Sequence, residues 1–295
     1  MSLASPAIRL VADVKALLGE GCCWVAREQR LYWLDIKARR LFRLEEDGSV
    51  RSWETPMRVG SIAPRVGGGF IAGTEHGFAT VTLDDEAGPM FTPIGNPEAE
   101  LPDNRFNDGK VDRSGMFWAG TMDDLEQADS GALYRLDADH RWTRGEHGYA
   151  VTNGPAFSPD GTILYHTDSG KRTIYRFALH PDGSLGPRET FARFKGAEGY
   201  PDGMTVDADG CLWVAFWDGW AIRRFSPSGE ELAMVELPVQ RPTSVVFGGP
   251  RLDRIYVTSA RIGLDSAALS AQPLAGALFM LEPGVTGLAD RPFAG

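Results

Sequence analysis

Short apolar segments recur along this chain at a regular interval. Each segment begins at a turn rich in Gly or charged residues, continues as an aromatic or aliphatic stretch, and ends at a polar break. Such segments are typical of β-strands, and helical periodicity is scarce. Successive segments lie about 45 residues apart, which is the spacing of β-propeller blades. Their centres are Trp33, Phe70, Trp118, Tyr165, Trp213 and Tyr256.

A second apolar segment follows each centre within the reach of a hairpin, and a shorter one precedes it. Six such repeats predict an all-β fold, a six-bladed β-propeller with a central metal-binding channel, formed by a single domain over residues 1–295. The segment "AIRLVADV" (residues 7–14) is predicted to add an outer strand to the last blade and so protect its edge. A pair of β-sandwiches is the alternative, although the repeat runs through the chain without a linker.

The segment before each centre is predicted to be the innermost strand of its blade, and in four of six a polar residue there precedes Gly. Equivalent positions on successive blades of a propeller converge, so Glu20, Asn153 and Asp202 are predicted to meet at the mouth of the channel. Asn107 would lie close by. The alternative is that these residues only shape similar turns. The four polar pairs are Glu20-Gly21, Asp108-Gly109, Asn153-Gly154 and Asp202-Gly203.

Two carboxylates with one or two amide carbonyls form an all-oxygen ligand set. Such a set suits a hard divalent cation, with Ca²⁺ favoured and Mg²⁺ or Mn²⁺ as alternatives. Zn²⁺ or Fe²⁺ would also fit if water completed the shell. The set contains no His or Cys, which argues against a structural zinc site.

The turn sequence Pro-Asp-Gly occurs three times, and the repeat separates the copies. "SPDG" (158–161) and "HPDG" (180–183) fall at hairpin turns, where Pro, Asp and Gly are the preferred residues. "YPDG" (200–203) does not, because "DADG" (207–210) already fills the turn before Trp213. It falls instead where "VTNG" (151–154) falls, at the innermost strand. We therefore expect Asp202 to have a function that Asp160 and Asp182 lack.

Composition and charge narrow the range of partners. The chain has 295 residues, of which 43% are apolar, and a formal net charge of −10. This charge argues against a nucleic-acid or acidic-membrane partner. No apolar run approaches the length of a membrane span, no signal peptide is visible, and nothing indicates a protein partner. The three cysteines give no disulfide framework, so a cytoplasmic location is expected.

The motifs around these positions resemble those of the senescence marker protein 30 (regucalcin) and gluconolactonase family, especially its bacterial sugar lactonases. They are "LGEGCCW", "NRFNDGKVD", "VTNGPAFSPDG", "YPDGMTVDADGCLWVA" and "RPTSVVFGG". The resemblance covers nearly the whole chain. It implies a metal-dependent hydrolase that converts a small sugar lactone to the aldonic acid, as in pentose and hexose oxidation. A non-enzymatic calcium-binding protein is the alternative.

The resemblance also implies roles for individual residues. Glu20 and Asn153 match metal ligands, and Asp202 matches a ligand that also serves as the general base. Arg105 and Asn107 match positions that contact the substrate. In the loop at 122–131, "MDDLEQADSG", Asp123 and Asp124 are candidates for a further substrate contact, with an exposed acidic loop as the alternative.

Two other kinds of chemistry find less support. The chain has no G-x-S-x-G motif, so serine-hydrolase chemistry is not expected. His166 lies in a predicted strand, where a structural role is favoured over a catalytic one.

Overall fold

A computed structural model describes residues 6–295, in which the chain forms two compact units. The first unit contains the described residues up to Ser52 together with Phe194–Ala289. The second unit contains Trp53–Arg193 and Asp290–Gly295. The prediction of a single domain over 1–295 stays a prediction, and residues 1–5 of that range lie outside the described residues.

Within residues 6–295 the strands form six antiparallel sheets of four strands each. In chain order the strands are β1 (Arg9–Ala12), β2 (Gly19–Val25), β3 (Arg30–Asp35), β4 (Arg40–Leu44), β5 (Val50–Glu54), β6 (Val59–Pro64), β7 (Phe70–Thr74), β8 (Gly77–Asp84), β9 (Gly88–Gly95), β10 (Asn104–Val111), β11 (Phe117–Asp123), β12 (Gly131–Leu136), β13 (Trp142–Tyr149), β14 (Thr152–Phe157), β15 (Ile163–Asp168), β16 (Thr173–Ala178), β17 (Glu189–Arg193), β18 (Tyr200–Val206), β19 (Leu212–Trp217), β20 (Ala221–Phe225), β21 (Glu231–Glu236), β22 (Pro242–Gly248), β23 (Arg254–Ser259) and β24 (Leu278–Leu281).

Five sheets are built from four strands that are consecutive along the chain, and the sixth combines β22–β24 with β1. The first unit contains the sheets β2–β5, β18–β21 and β22–β24 with β1, although the last two residues of β5 belong to the second unit. The second unit contains the sheets β6–β9, β10–β13 and β14–β17. Strand β1 pairs with β24, which confirms the predicted N-terminal outer strand. Each predicted aromatic or aliphatic centre lies in the second strand of its sheet.

In two sheets an Asp that directly follows the first strand links the next turn to the buried core. Asp112 Oδ2 accepts a hydrogen bond of 2.8 Å from the indole N–H of Trp118, while its Oδ1 accepts one from the backbone N–H of Ser114. Asp207 likewise accepts a bond of 3.0 Å from the indole of Trp213. Both Trp rings are buried, so the same side chain satisfies a buried donor and shapes the turn before β11 or β19.

Helical structure is limited to short segments. Helix α1 (Ser266–Ala271) begins after Asp265, whose Oδ1 accepts a hydrogen bond from the backbone N–H of Ala268. A single 3-10 turn, Gly196–Glu198, precedes β18. No helix in residues 6–295 is both long enough and apolar enough to cross a membrane.

Candidate functional site

In every sheet the strand that precedes the predicted aromatic or aliphatic centre carries a β-bulge or register shift at the position of the predicted site residues. In five of these strands the regular pairing is interrupted and resumes three positions further along the chain. Strand β6 shows a shorter register shift, between Val59 and Ser61. Bulges of this kind re-aim side chains and are common beside active sites. The five interruptions run from Glu20 to Cys23, Phe106 to Gly109, Asn153 to Ala156, Pro201 to Met204 and Pro242 to Val245.

The pairing of the strands shows that the predicted alignment of Asp202 with Asn153 is wrong by one residue. Glu20 and Asn153 are the last paired residues before their bulges, whereas Asp202 lies inside its bulge. Asp202 is therefore equivalent to Asn107 and not to Asn153. The prediction aligned these strands on the Gly that follows the polar residue. In the structure, that Gly has two different roles.

Gly21 and Gly154 adopt positive φ, 54° and 74°, a conformation that favours glycine. Gly203 has no positive φ and is required for another reason. A Cβ atom there would lie 2.8 Å from Oγ of Ser244 on β22. The Gly after Asp202 thus permits close strand packing, while the Gly after Glu20 or Asn153 shapes the bulge itself.

The structure separates the three Pro-Asp-Gly copies as predicted. Asp160 Oδ1 accepts hydrogen bonds from Ser158 and Thr162, and Asp182 Oδ1 accepts two from Ser184. Both carboxylates are in exposed turns, and these hydrogen bonds hold the pKa of each below its ordinary value. Asp202 lies in β18 and is only 5% exposed.

In the first unit, Glu20 and Asp202 lie on two strands that flank β22. Strands β2 and β18 both contact β22, and Ser244 of β22 touches each of them. Its Oγ is 3.4 Å from Sγ of Cys22 on one side and packs against Gly203 on the other. Glu20 is 5% exposed, and its Oε2 accepts a hydrogen bond of 3.0 Å from the backbone N–H of Gly21.

In the second unit, Arg105, Asn107 and Asn153 are joined by hydrogen bonds. Nη1 of Arg105 donates to Oδ1 of Asn107 at 2.7 Å, and Nδ2 of Asn107 donates to Oδ1 of Asn153 at 3.0 Å. Nδ2 of Asn107 also donates to the carbonyl of Thr152, and Nδ2 of Asn153 donates to Oγ of Ser169. All three side chains are buried. The family resemblance predicted that Arg105 and Asn107 contact the substrate. In the structure, Asn107 also orients Asn153, and Arg105 holds Asn107 in place.

Three further charged residues extend this chain of hydrogen bonds, and two of them carried no signal in the sequence. Asp124 accepts from Nε of Arg105 at 2.5 Å and from Nη1 of Arg58, and Glu75 accepts from Arg58. Arg58 and Glu75 lie within repeated segments, but no motif that carries the family resemblance contains them. Asp124 was a candidate through the loop at 122–131.

The loop after β11 is only partly the exposed acidic segment considered as an alternative. Residues 125–129 are exposed, whereas Asp123 is buried and Asp124 is half-buried. Asp123 accepts hydrogen bonds from the backbone N–H groups of Leu125, Gln127 and Ala128, and these lower its pKa. Asp123 therefore shapes the loop, and Asp124 makes the ion pairs.

Burial also shifts the pKa values of Asp108 and His166. Burial raises the pKa of Asp108 to about 6, against the hydrogen bonds from the backbone N–H groups of Gly109 and Gly154. Burial, together with the charge of Arg188, lowers the pKa of His166 to about 3. The imidazole of His166 packs edge to face on Tyr149 at 4.7 Å. Its complete burial fits the structural role predicted for it.

The predicted ligand residues fit a hard cation by their chemistry. Oδ1 of Asn153 is a carbonyl oxygen with two lone pairs, of which the hydrogen bond from Asn107 occupies one. Glu20 and Asp202 supply carboxylates that are almost fully buried, where negative charge is costly without a compensating cation. Residues 6–295 contain no cluster of three His, Cys, Asp or Glu side chains able to hold a metal, and the predicted set includes only two such residues.

Comparisons with known proteins show which family this chain is similar to. The model of the SMP-30/Gluconolactonase/LRE-like region matches residues 18–261. The chain is 39% identical to 6-deoxy-6-sulfogluconolactonase of Pseudomonas putida, over 98% of this chain and 99% of that protein. It is 38% identical to L-arabinolactonase of Azospirillum brasilense, over 97% and 95%.

Solved structures identify the fold. The crystal structure of a calcium-binding protein, regucalcin, from Agrobacterium tumefaciens strain C58 superposes with a TM-score of 0.93 and 30% identity, over 99% of this chain and 100% of that one. The predicted all-β, six-bladed β-propeller class is confirmed. The match of the family model and the full-length relatives together show that the chain belongs to the SMP-30/gluconolactonase/LRE-like family.

Proposed function

We propose that this protein hydrolyses a sugar lactone to the corresponding aldonic acid with the help of one divalent cation. The observation that carries the proposal is the set of buried polar side chains at the bulges of the innermost strands. The relatives support the reaction class, because two of them are named lactonases, one for a hexonolactone and one for a pentonolactone.

Glu20, Asn153 and Asp202 would hold the cation, for which Ca²⁺ is favoured because every donor is oxygen. The support is their place on the first strands of three blades, since such strands line the axis of a propeller. When bound, the cation would act as a Lewis acid on the lactone carbonyl and stabilise the negative charge that develops on its oxygen.

Asp202 would act as the general base. Its carboxylate takes a proton from water as the water oxygen forms a bond to the carbonyl carbon. The bond between that carbon and the ring oxygen then breaks, and Asp202 returns the proton to the departing oxygen. The products are a carboxylic acid and a free hydroxyl on the same open-chain molecule, so atoms and charge balance.

Arg105 would bind hydroxyl oxygens of the sugar. Its Nε donates to Asp124, and its Nη1 donates to the carbonyl of Phe106 and to Asn107. The two N–H groups on Nη2 would then be the donors for a substrate oxygen, in a planar group whose direction is fixed.

Asn107 would contribute less to binding than to orientation. Both N–H groups of its amide are used, by Thr152 and by Asn153, and its Oδ1 already accepts from Arg105. One lone pair on Oδ1 is left to accept a hydrogen bond from a sugar hydroxyl.

The test is an assay of acid release from a panel of five- and six-carbon aldonolactones, corrected for spontaneous hydrolysis in buffer. We expect at least one lactone to be hydrolysed by the protein with its cation, and not by the Asp202→Asn variant. If no lactone is hydrolysed while Ca²⁺ still binds, the proposal fails. The calcium-binding alternative, which the likeness to the regucalcin structure favours, would then hold.

A further inference from the structure

Arg58 and Glu75 form a tight pair beside the substrate-binding residues of the second unit. Arg58 precedes β6 and Glu75 follows β7, so the pair extends the hairpin ladder by one step. The backbone N–H of Glu75 donates to the carbonyl of Arg58 at 3.0 Å. In return, the backbone N–H of Arg58 donates to Oε1 of Glu75 at 2.8 Å, and its Nε donates to Oε2 at 2.5 Å. The guanidinium is therefore held at the backbone and at the side chain.

Asp124 lies between two guanidinium groups. Its Oδ2 accepts from Nη1 of Arg58, and its Oδ1 accepts from Nε of Arg105. Hydrogen bonds between guanidinium and carboxylate are short, strong and directional. Because each oxygen of Asp124 has its own Arg partner, the carboxylate plane is fixed from both sides.

The orientation of Asp124 sets the orientation of Arg105. The side chain of Arg105 is 5% exposed, and its guanidinium is held at Nε by Asp124 and at Nη1 by Asn107 and the carbonyl of Phe106. A planar group that is held at two of its three nitrogens has a fixed direction for the third. Rotation of Asp124 would release the Nε contact and let Nη2 turn.

Arg58 is the outer support of this arrangement. Its side chain is 29% exposed, compared with 17% for Asp124 and 5% for Arg105. Asp124 itself begins the loop after β11, whose next five residues are exposed. Without Arg58, the carboxylate of Asp124 would lose the ion pair at Oδ2, at the start of an exposed loop.

We propose that Arg58, held in place by Glu75, is a positioning residue that acts through Asp124 to fix the guanidinium of Arg105 for substrate binding. The inference rests on the proposed function for its effect on catalysis. The position of Arg105 can be measured without any substrate, so the two can fail separately.

The test compares Arg58→Gln with a matched control, Arg188→Gln. Arg188 also lies in the second unit, its side chain is also 29% exposed, and it also makes an ion pair, with Glu146. The first readout is the hydrogen-exchange rate of the Nε–H of Arg105 by NMR, assigned with Arg105→Lys. We expect exchange to be accelerated roughly tenfold in Arg58→Gln, because the ion pair between Arg58 and Asp124 is lost. Exchange should be unchanged in Arg188→Gln.

The second readout is KM and kcat for whichever lactone the protein hydrolyses. Arg58→Gln is expected to raise KM roughly tenfold with little change in kcat, because Arg105 binds the sugar in the ground state and in the transition state alike. The Arg58→Gln and Asp124→Asn effects on KM should not add, because both act on the same contact to Arg105.

Unchanged exchange at Arg105 in Arg58→Gln would overturn the positioning role, whatever happens to KM. Accelerated exchange with an unchanged KM would overturn its importance for substrate binding. If the wild-type protein hydrolyses no lactone, the proposed function fails, and the exchange rate alone decides whether Arg58 positions Arg105.

Discussion

At Asp202 the chain places a buried carboxylate inside a β-bulge, whereas Asp160 and Asp182, in the same Pro-Asp-Gly context, occupy exposed turns. The latter two satisfy backbone and hydroxyl donors of their own turns, so their contribution is local. Asp202 is placed by strand pairing and by the packing of Gly203 on Ser244. The difference in surroundings is the basis for assigning chemistry to one aspartate of the three.

Replacing Asp202 by Asn should keep the fold and remove most hydrolysis. Asn has the same shape but cannot accept a proton from water, and loss of general-base catalysis lowers kcat by roughly 100-fold or more. The measurement is kcat for a hydrolysed lactone, with the melting temperature as a check on folding. Asp160→Asn and Asp182→Asn are the matched controls and should retain kcat. A kcat near the wild-type value in Asp202→Asn would remove this residue from the role of base.

Strands β6 and β10 approach each other closely at Asn107, one of the residues proposed to bind the substrate. A Cβ atom on Gly60 of β6 would lie 2.4 Å from the carbonyl oxygen of Asn107 and 2.5 Å from that of Phe106. Only a residue without a side chain allows this contact between backbones. The glycine therefore fixes the position of the bulge in β10, and with it Asn107.

Gly60→Ala should destabilise the protein and weaken lactone binding. Forcing a methyl group against a buried backbone costs about 1–3 kcal/mol of unfolding free energy, and the displaced bulge should raise KM. Urea unfolding and KM are the two measurements. Gly67→Ala, in the turn between β6 and β7, is the matched control, because a Cβ there meets nothing within 4 Å. Equal stability of the two variants would show that the approach of β6 to β10 is not constrained at Gly60.

His166 in strand β15 should make the stability of the protein depend on pH. Burial lowers the pKa of His166 to about 3, so below its ordinary value of 6.5 the unfolded chain binds a proton that the native chain does not. Stability from this group is complete above pH 6.5 and is lost as the pH falls toward 3, by about 1.4 kcal/mol per pH unit. In chelator-treated protein, the urea midpoint of the wild type should fall more steeply between pH 6.5 and 4.5 than that of His166→Gln. Parallel curves would contradict this assignment.

At the scale of the whole molecule, the repeat predicted the six sheets, the outer strand β1 and the strand that precedes each aromatic or aliphatic centre. It could do so because aromatic strand centres and turn residues recur at a constant spacing. The one-residue offset of Asp202 from Asn153 was not predictable in this way, because a Gly after a polar residue serves both bulges and close packing.

The ion pairs of Arg58 also could not be predicted from the sequence. Arg58 meets Glu75 across 17 positions and Asp124 across 66, and no periodic pattern relates these residues. Contacts of this kind depend on how one hairpin packs against the next sheet. The sequence therefore indicated the residues proposed to react, and the structure was needed to find those that hold them.

The most direct test of metal-dependent lactone hydrolysis by this protein is a titration of chelator-treated protein with Ca²⁺, followed by calorimetry and by lactone hydrolysis in the same samples. Glu20, Asn153 and Asp202 as ligands of one cation predict a single tight site per chain and hydrolysis that returns in proportion to its occupancy. Asn153→Ala should weaken the site. Full hydrolysis by the metal-free protein, or hydrolysis that does not follow occupancy of a single site, would contradict the account.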